Sequence, residues 1–175
     1  GKIYFGDATH PLHNTILTSG WIRKGEEKEV FTNSGRNRVN VFGAISIDDL
    51  DVVTRSYETI NQFSVCNFLK ALREKNPNGE KLYFILDRGP CNKALSVREL
   101  AQELNIEIVF LPAYSPNLNP IERLWKFFKK KVLYNQYYEK FKDFKLVCAS
   151  FFRGIRKYES ELSTLITDNF SAVGT

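Results

Sequence analysis

The chain has 175 residues, 43% of them hydrophobic, which is enough for one domain with a buried core. No apolar run approaches the roughly 20 residues that a membrane-spanning helix needs, and nothing at the start resembles a signal peptide. These features argue against a membrane protein, so we expect no membrane partner. The net charge of +5 favours a polyanionic binding partner.

The three cysteines, Cys66, Cys91 and Cys148, are odd in number and far apart, so they form neither a disulfide framework nor a zinc-binding spacing. This usage fits a reducing, intracellular compartment: the cytoplasm or nucleoid of a bacterium, or the nucleus of a eukaryote. The sequence begins with Gly1 and contains no Met. Because translation needs an initiator, we expect further residues upstream, with room for an N-terminal domain.

The first third of the chain predicts an antiparallel meander. Lys2 to Asp7 is a short apolar run with Asp7 at or near its C-terminal end, and Lys28 to Thr32 indicates a short strand. Val39 to Ile47 is a stronger strand, and a turn at 48–49 joins it to a partner strand from Asp51 to Tyr57. We interpret the acids at 48, 49 and 51 as turn residues and not as metal ligands.

The rest of the chain alternates helices with apolar runs. Helices are predicted at Asn61 to Lys75, at Lys93 to Leu104, from Pro120 onward and at about 141–158, and strands at Leu82 to Leu86 and Ile106 to Leu111. Strands without polar interruption are typical of positions covered on both faces. The order predicts an α/β fold: a mixed sheet of three antiparallel and then two parallel strands, with helices on both faces.

The helix that follows Pro120 carries an apolar stripe, which predicts a core-facing side: Ile121, Leu124, Trp125, Phe128 and Val132. Glu122, Lys126 and Lys129 recur on a neighbouring face. Such a row can hold a divalent cation at its acidic end and nucleic-acid phosphates along the rest.

These polar side chains also have a structural interpretation. Asn119 stands where a helix N-cap would, before Pro120, and Glu122 is at capping-box spacing from it. Glu122 and Lys126 can equally form a surface ion pair. The lysines concentrated between 126 and 145 can be no more than a solvated helix face.

Three acids stand where open α/β sheets bind ligands. Asp7 and Asp87 each end a strand that is predicted to be central, and ligands of such sheets bind beyond the carboxyl ends of the strands. Glu122 begins the helix after the next strand and can close the site from the side. An all-oxygen set suits Mg²⁺ or Mn²⁺, and two such ions can activate a water and stabilise the leaving oxygen of a phosphodiester.

Three segments resemble the catalytic motifs of the DDE transposases of the mariner-like and bacterial insertion-sequence superfamily. YFGDATH, from Tyr4 to His10, resembles the first motif, and YFILD, from Tyr83 to Asp87, resembles the second. Phe110 to Lys131, around SPNLNPIERLWKFFK, resembles the last. The 34 residues between Asp87 and Glu122 are a spacing typical of that superfamily.

The resemblance implies a ribonuclease H-like fold and a single DDE catalytic domain over residues 1–175, with the family's N-terminal helix-turn-helix domain outside this sequence. It implies that Asp7, Asp87 and Glu122 are catalytic and bind two Mg²⁺ or Mn²⁺ ions. It also implies DNA as the partner, both transposon ends and target, and a homodimer in the full-length assembly. We predict that DNA is contacted by Arg88, Asn92, Lys126, Lys129 and Lys130.

The chain departs from the family pattern beside two of the acids. Many relatives carry Asp-Glu at the first motif and Asp-Asn at the second, whereas this chain has Asp7-Ala8 and Asp87-Arg88. Asn92 replaces a His that is common shortly after the second Asp. All three acids are present, so we expect the metal site to persist.

Three functions are open at this point. The preferred one is the catalytic domain of a cut-and-paste DNA transposase, which hydrolyses a phosphodiester at the transposon end and joins the freed 3′-OH to target DNA. The alternatives are a nuclease of the same fold that only hydrolyses, and a catalytically decayed DNA-binding module. Strand transfer separates the first two, and metal binding tests the third.

Overall fold

The computed structural model describes residues 1–19, 24–27, 29–33 and 36–166. The strands are β1 (Lys2–Thr9), β2 (Asn40–Ile45), β3 (Val52–Tyr57), β4 (Leu82–Leu86) and β5 (Ile106–Phe110). The helices are α1 (Gln62–Lys75), α2 (Leu95–Glu103), α3 (Ile121–Val132), α4 (Phe141–Arg153) and α5 (Glu159–Leu165), with 3₁₀ turns at Cys91–Lys93, Pro116–Leu118 and Ile155–Tyr158. Within these ranges, no helix has the length and apolar character that a membrane span requires.

The five strands form one mixed sheet in the order β3-β2-β1-β4-β5. β1, β2 and β3 are antiparallel neighbours, while β1, β4 and β5 run parallel. The meander leaves β1 in the centre of the sheet, and α1 and α2 are the crossovers that lead to the two parallel strands. The predicted α/β fold, with three antiparallel strands followed by two parallel ones, is confirmed.

Two hydrophobic cores lie on opposite faces of this sheet. α1 and α2 cover one face, where Phe42, Phe68 and Phe84 pack against each other. α3, α4 and α5 cover the other face, and the predicted apolar stripe of α3 is buried along its whole length. Phe127 lies outside that stripe but is also buried, because α4 supplies a second apolar surface at Phe151.

The starts of α1 and α3 satisfy their backbone groups in different ways. Asn61 caps α1: its side chain accepts from the N–H of Ser64 at 3.1 Å, and Ser64 Oγ accepts from the N–H of Asn61 at 2.7 Å. α3 begins after Pro120, whose φ of −58° is preset for a helix, and no side chain caps it. The predicted side-chain cap at Asn119 is therefore wrong, because its amide is directed to Gly6 of β1 instead.

Three other local predictions differ from the structure. Residues 29–32 form no strand, and Lys28 lies outside the described residues. β5 is not covered on both faces: it is an edge strand, and Val109 is 40% exposed because α3 packs mainly on β1 and β2. The helical region predicted at 141–158 is interrupted at Gly154, a poor helix former, and α5 follows it.

Candidate active site

Asp7 and Asp87 lie at the same level on adjacent parallel strands. β1 pairs with β4 in a register that matches Phe5 with Ile85, and this register carried two residues further brings Asp7 level with Asp87. Phe5 and Ile85 pack on the α3 side, so Asp7, two residues after Phe5 in β1, points to that side of the sheet. β1 continues to Thr9, so Asp7 is held within the strand, whereas Asp87 begins the loop after β4.

α3 brings Glu122 to the same place because the helix approaches the sheet closely. Gly43 of β2 is paired with Asp7, and a Cβ at Gly43 would lie 2.5 Å from Cη2 of Trp125. The missing side chain makes room for the indole, which fixes α3 over the strand next to Asp7. Glu122 precedes Trp125 by about one helical turn and so starts the helix beside Asp7.

The three acids line one cavity of about 480 Å³. Glu122 lies close enough to Asp7 that both its charge and a side-chain hydrogen bond raise the pKa of Asp7. Burial, together with the charges of Glu122 and Asp87, raises the pKa of Asp7 to about 7, against the opposing effect of a hydrogen bond from the N–H of Ala8. None of the ion pairs among the described residues includes one of these three acids.

The geometry removes both structural interpretations of Glu122. In a capping box its carboxylate would accept the N–H of Asn119, but that N–H donates to the C=O of Pro116 at 3.0 Å. No ion pair joins Glu122 to Lys126, although both residues are described. Glu122 is half-buried and lines the cavity together with Asp7 and Asp87.

Asp87 is oriented by Asn92. The Nδ2 of Asn92 donates to Asp87 Oδ1 at 2.7 Å, and the N–H of Gly89 donates to the same oxygen at 3.1 Å. Asn92, a predicted DNA contact, is 7% exposed, and its amide is engaged by Asp87. In the described ranges no three Asp, Glu, His or Cys side chains are grouped closely enough to hold an ion. The three acids must therefore come closer together for the predicted ligand set to close.

The mouth of the cavity is formed by the loop between β5 and α3. Residues 111–116 line it, and Arg88 is tied to this loop because its Nε donates to the C=O of Leu111 at 3.1 Å. The Arg88 side chain is itself exposed. Tyr114 is fully exposed and has a φ of +57°. The mouth thus presents a cation and an aromatic ring to solvent, two groups that suit the phosphates and bases of a nucleic acid.

The lysines of α3 are of two kinds. Lys126 and Lys130 are exposed and Lys129 is half-exposed, and none of the three joins an ion pair within the described part of the chain. Lys131 differs, because it pairs with Glu161 at 3.2 Å and lies over the ring of Phe127. The first three therefore form a free row of positive charge that continues along α3 from Glu122.

The chemistry of the cavity fits a hard divalent cation. Its candidate ligands are carboxylate oxygens, the donors that Mg²⁺ and Mn²⁺ prefer. Asn119 adds an independent sign: it lines the cavity, is 5% exposed, and its Oδ1 has no hydrogen-bond partner. Three carboxylates and a buried, unpaired acceptor thus line one cavity, and a bound cation would compensate for both.

The family model of the DDE superfamily endonucleases matches residues 2–145. The chain belongs to this family. The match extends from β1 into α4 and so includes all three acids of the cavity. No curated protein sequence matches the chain significantly.

Solved structures of the Mos1 mariner transposase share the fold. The Mos1 strand transfer complex aligns with a TM-score of 0.64 at 19% identity, over 94% of this chain and 53% of that chain. The Mos1 paired end complex with Mg gives 0.64 at 21% identity, over 95% and 56%. The catalytic domain of Mos1 gives 0.58 at 19% identity, over 94% and 80%. This DDE endonuclease domain therefore has the predicted ribonuclease H-like fold and spans about half the length of the Mos1 chains in those complexes.

The sequence indicates the three acids but not the residues that hold them. The role of Gly43 in admitting Trp125 can be recognised only from the pairing of β2 with β1 and the packing of Trp125 over the strand. The Asn-Pro-Ile-Glu spacing draws attention to Asn119, but as a helix cap. Asn92 is predicted from its place in the second motif, but as a surface contact and not as a buried partner of Asp87.

Proposed function

We propose that this chain is the catalytic domain of a cut-and-paste DNA transposase. The observation that carries the proposal is the placement of Asp7, Asp87 and Glu122 in one cavity, in a chain of the DDE endonuclease family. The likeness to Mos1 supports this choice within the family, since the aligned structures include a strand transfer complex. The match is to the fold, so the reaction itself has to be tested on this chain.

In this proposal the three acids hold two Mg²⁺ or Mn²⁺ ions, as two of the Mos1 paired end structures are complexes with Mg and with Mn. When bound, such ions activate a water and stabilise the leaving oxygen of a phosphodiester. The protein contributes the arrangement of the ligands. β1 fixes Asp7, Asn92 orients Asp87, and α3 presents Glu122. Burial of Asp7 strengthens the charge interactions inside the cavity.

DNA is the proposed substrate, first as the transposon end and then as the target. Arg88 at the mouth and the row of Lys126, Lys129 and Lys130 supply the phosphate contacts. These contacts position a duplex but do not read its sequence, so end recognition belongs to another part of the full-length protein. We propose that the full-length protein acts as a homodimer inside the cell, where its DNA lies.

The decisive experiment supplies a pre-cleaved transposon-like end, with a free 3′-OH, together with supercoiled plasmid and Mn²⁺. A transposase domain should join the end to the plasmid by direct attack of the 3′-OH. Nicked or linear plasmid without joined product would indicate a nuclease that only hydrolyses. Absence of both products and of Mn²⁺ binding would indicate a decayed DNA-binding module, and either result would refute the proposed function.

A further inference from the structure

Asn119 links α3, which carries Glu122, to β1, which carries Asp7. Its backbone C=O accepts the N–H of Glu122 at 3.1 Å, which places it at the start of α3. Its side-chain Nδ2 donates to the C=O of Gly6 at 3.2 Å, and Gly6 is the residue before Asp7. The last β1–β4 pair is Phe5 with Ile85, so this bond reaches β1 where its pairing with β4 has ended. One side chain therefore sets how closely α3 approaches β1 beside the acids.

The amide of Asn119 uses its donor and leaves its acceptor free. The residue is 5% exposed, and its Oδ1 is buried without a partner. A flipped amide would turn its oxygen toward the C=O of Gly6, so the hydrogen bond fixes the orientation. Buried unpaired polar atoms are rare in native proteins and call for an explanation, such as a bound water or ion or a functional role. Two other buried polar atoms lack a partner among the described residues, the Ser46 hydroxyl and the Trp125 indole N–H donor, and neither lines this cavity.

The surroundings of the free oxygen indicate its partner. The cavity wall combines this acceptor with three carboxylates. Arg88 and Lys93 also line it, but neither forms an ion pair with an acid among the described residues. Hard divalent cations take amide oxygens and waters alongside carboxylates. Groups that hydrogen-bond to the ligands of a metal ion orient those ligands and raise the affinity of the site.

We propose that Asn119 is a positioning residue of the metal site: its Nδ2 fixes β1 against α3, and its Oδ1 accepts a hydrogen bond from a water in the coordination sphere of an ion held by Asp7 and Glu122. This inference rests on the proposed function, because it needs the ion. It adds a neutral side chain to the three acids and makes the ion affinity depend on an amide.

The test measures Mn²⁺ binding in the absence of DNA, by the electron paramagnetic resonance signal of free Mn²⁺. Asn119→Ala and Asn119→Ser should each weaken the affinity by about 10–100-fold, the usual loss when a group that supports a metal ligand is removed. Asn119→Ser keeps a small polar side chain before Pro120, and it can add a cap to α3 while both amide contacts are lost. It therefore decides the question if the Ala variant does not fold.

Asn40→Ala is the matched control. Asn40 is also buried, at 7% exposure, but both ends of its amide are partnered, by His10 at 2.8 Å and by the C=O of Glu58 at 2.7 Å. It is not part of the cavity wall. This variant should lower the melting temperature while its Mn²⁺ affinity stays within about twofold of the parent. The rise in melting temperature on adding Mn²⁺ should shrink in the Asn119 variants and persist in Asn40→Ala.

Each remaining outcome decides against the inference in a different way. If both Asn119 variants bind Mn²⁺ within about twofold of the parent, Asn119 has no role in the site, and the proposed function stands. If Asn40→Ala loses affinity to the same degree, packing explains the effect. If the parent binds no Mn²⁺, and Asp87→Asn behaves in the same way, the proposed function fails together with the inference.

Discussion

The two ends of β1 both gather acids but treat their charges in opposite ways. At the start of the strand, Lys2 Nζ lies 2.7 Å from Asp49 and 3.1 Å from Asp51, and the hydroxyl of Tyr4 donates to Asp51 at 2.6 Å. Burial opposes ionisation of Asp49, but hydrogen bonds from Lys2 and from the backbone outweigh it and lower its pKa. These acids are compensated, as expected for turn residues that hold no metal.

At the far end of the strand, Asp7 has other acids as neighbours. Burial and the charges of Glu122 and Asp87 raise its pKa to about 7. An acid cluster that is completed by lysines stabilises the fold, whereas one without them has to bind a cation or retain a proton. We infer that the acids at the start of β1 stabilise the fold and that the acids at its far end serve the reaction. Single substitutions can test each half of this comparison.

The largest effect is expected from Asp87→Asn, in the acid cluster beside the far end of β1. The amide keeps the size of the side chain but removes a charged ligand, and metal ions supply several kcal/mol of transition-state stabilisation. Cleavage and strand transfer should therefore fall by at least about 10³-fold. Non-specific DNA binding should be retained, which a filter-binding or anisotropy assay would show.

Asp49→Asn is the control at the compensated end. Asp49 is 54% exposed and its ion pair with Lys2 is near the surface, so the loss should be within about 1 kcal/mol of stability. Cleavage should stay within about twofold of the parent, since a change of this size elsewhere leaves the reacting groups in place. If Asp49→Asn lost as much activity as Asp87→Asn, the two ends of β1 would not differ in function.

Gly43→Ala should have the next largest effect, because it acts on the spacing between the acids. The new Cβ would lie 2.5 Å from the buried ring of Trp125, so α3 has to move away from β2. We expect about 1–3 kcal/mol of destabilisation from overpacking, and a loss of activity of about 10²-fold if Glu122 shifts by 1 Å. Thermal melting and single-turnover cleavage measure the two effects.

Gly154→Ala provides the matching control for Gly43→Ala. A Cβ at Gly154 would meet its nearest neighbour, the C=O of Ser150, at 3.4 Å, which is ordinary contact. This variant should melt close to the parent and cut normally. If Gly43→Ala also cuts normally, the close approach of Trp125 does not position Glu122.

The sequence could predict what depends on local pattern. The three acids could be proposed because each stands near a strand end or a helix start within a recognisable motif, although β1 continues two residues beyond Asp7. The order of strands and helices predicts the fold. The orientation of Asn119 was not accessible, since it depends on a competition between the helix and a strand carbonyl at Gly6, more than a hundred residues away. A local rule favours the cap, but tertiary packing favours the strand.

The predicted burial of β5 failed for a related reason. Its apolar run is typical of a strand covered on both faces, yet the position of a strand within the sheet is set by the crossovers and not by its own composition. The helix that follows β5 crosses back over β1 and β2, where Gly43 admits Trp125. Val109 is left exposed at the edge. The same packing of α3 over β1 and β2 brings Glu122 to Asp7. It therefore explains both the exposure of β5, which the sequence did not predict, and the position of the site.

The third effect concerns DNA binding by the row of lysines on α3, which follows Glu122. Replacement of Lys126, Lys129 and Lys130 by Ala should reduce the slope of log K for DNA against log salt by about 2.7, or roughly 0.9 for each phosphate contact. Between 50 and 200 mM salt, this corresponds to roughly 40-fold less salt-induced loss of affinity than in the parent. A titration of DNA binding by anisotropy at several salt concentrations gives the slope.

Lys131→Ala separates this row from its neighbours on the same helix. Lys131 is engaged by Glu161 and by the ring of Phe127, so its replacement should lower stability slightly and leave the salt slope unchanged. An unchanged slope in the triple variant would show that the row is merely solvated. A reduced slope in Lys131→Ala would show that DNA approaches the opposite side of α3.

The last effect concerns the stability of the metal-free protein, where no change in catalysis is measured. The pKa of Asp7 is about 7 in the folded chain and 3.8 without the fold, so the folded protein holds this proton more tightly. The stability that follows is present in full below about pH 4 and is lost as the pH rises through 7. Asp49 has the opposite sign: its lowered pKa contributes stability at neutral pH that is lost as the pH falls.

Asp7→Asn tests this directly, because the amide carries no charge at any of these pH values. In EDTA at pH 8, where the parent suffers the full repulsion, the variant should melt higher by roughly 4–10 °C, since a pKa difference of this size corresponds to a few kcal/mol. At pH 5 the two should melt within a few degrees of each other. Added Mn²⁺ should stabilise the parent and not the variant, because the ion takes the place of the proton. A variant that melts below the parent at pH 8 in EDTA would show that the acids around Asp7 are already compensated, and the two ends of β1 would then be alike.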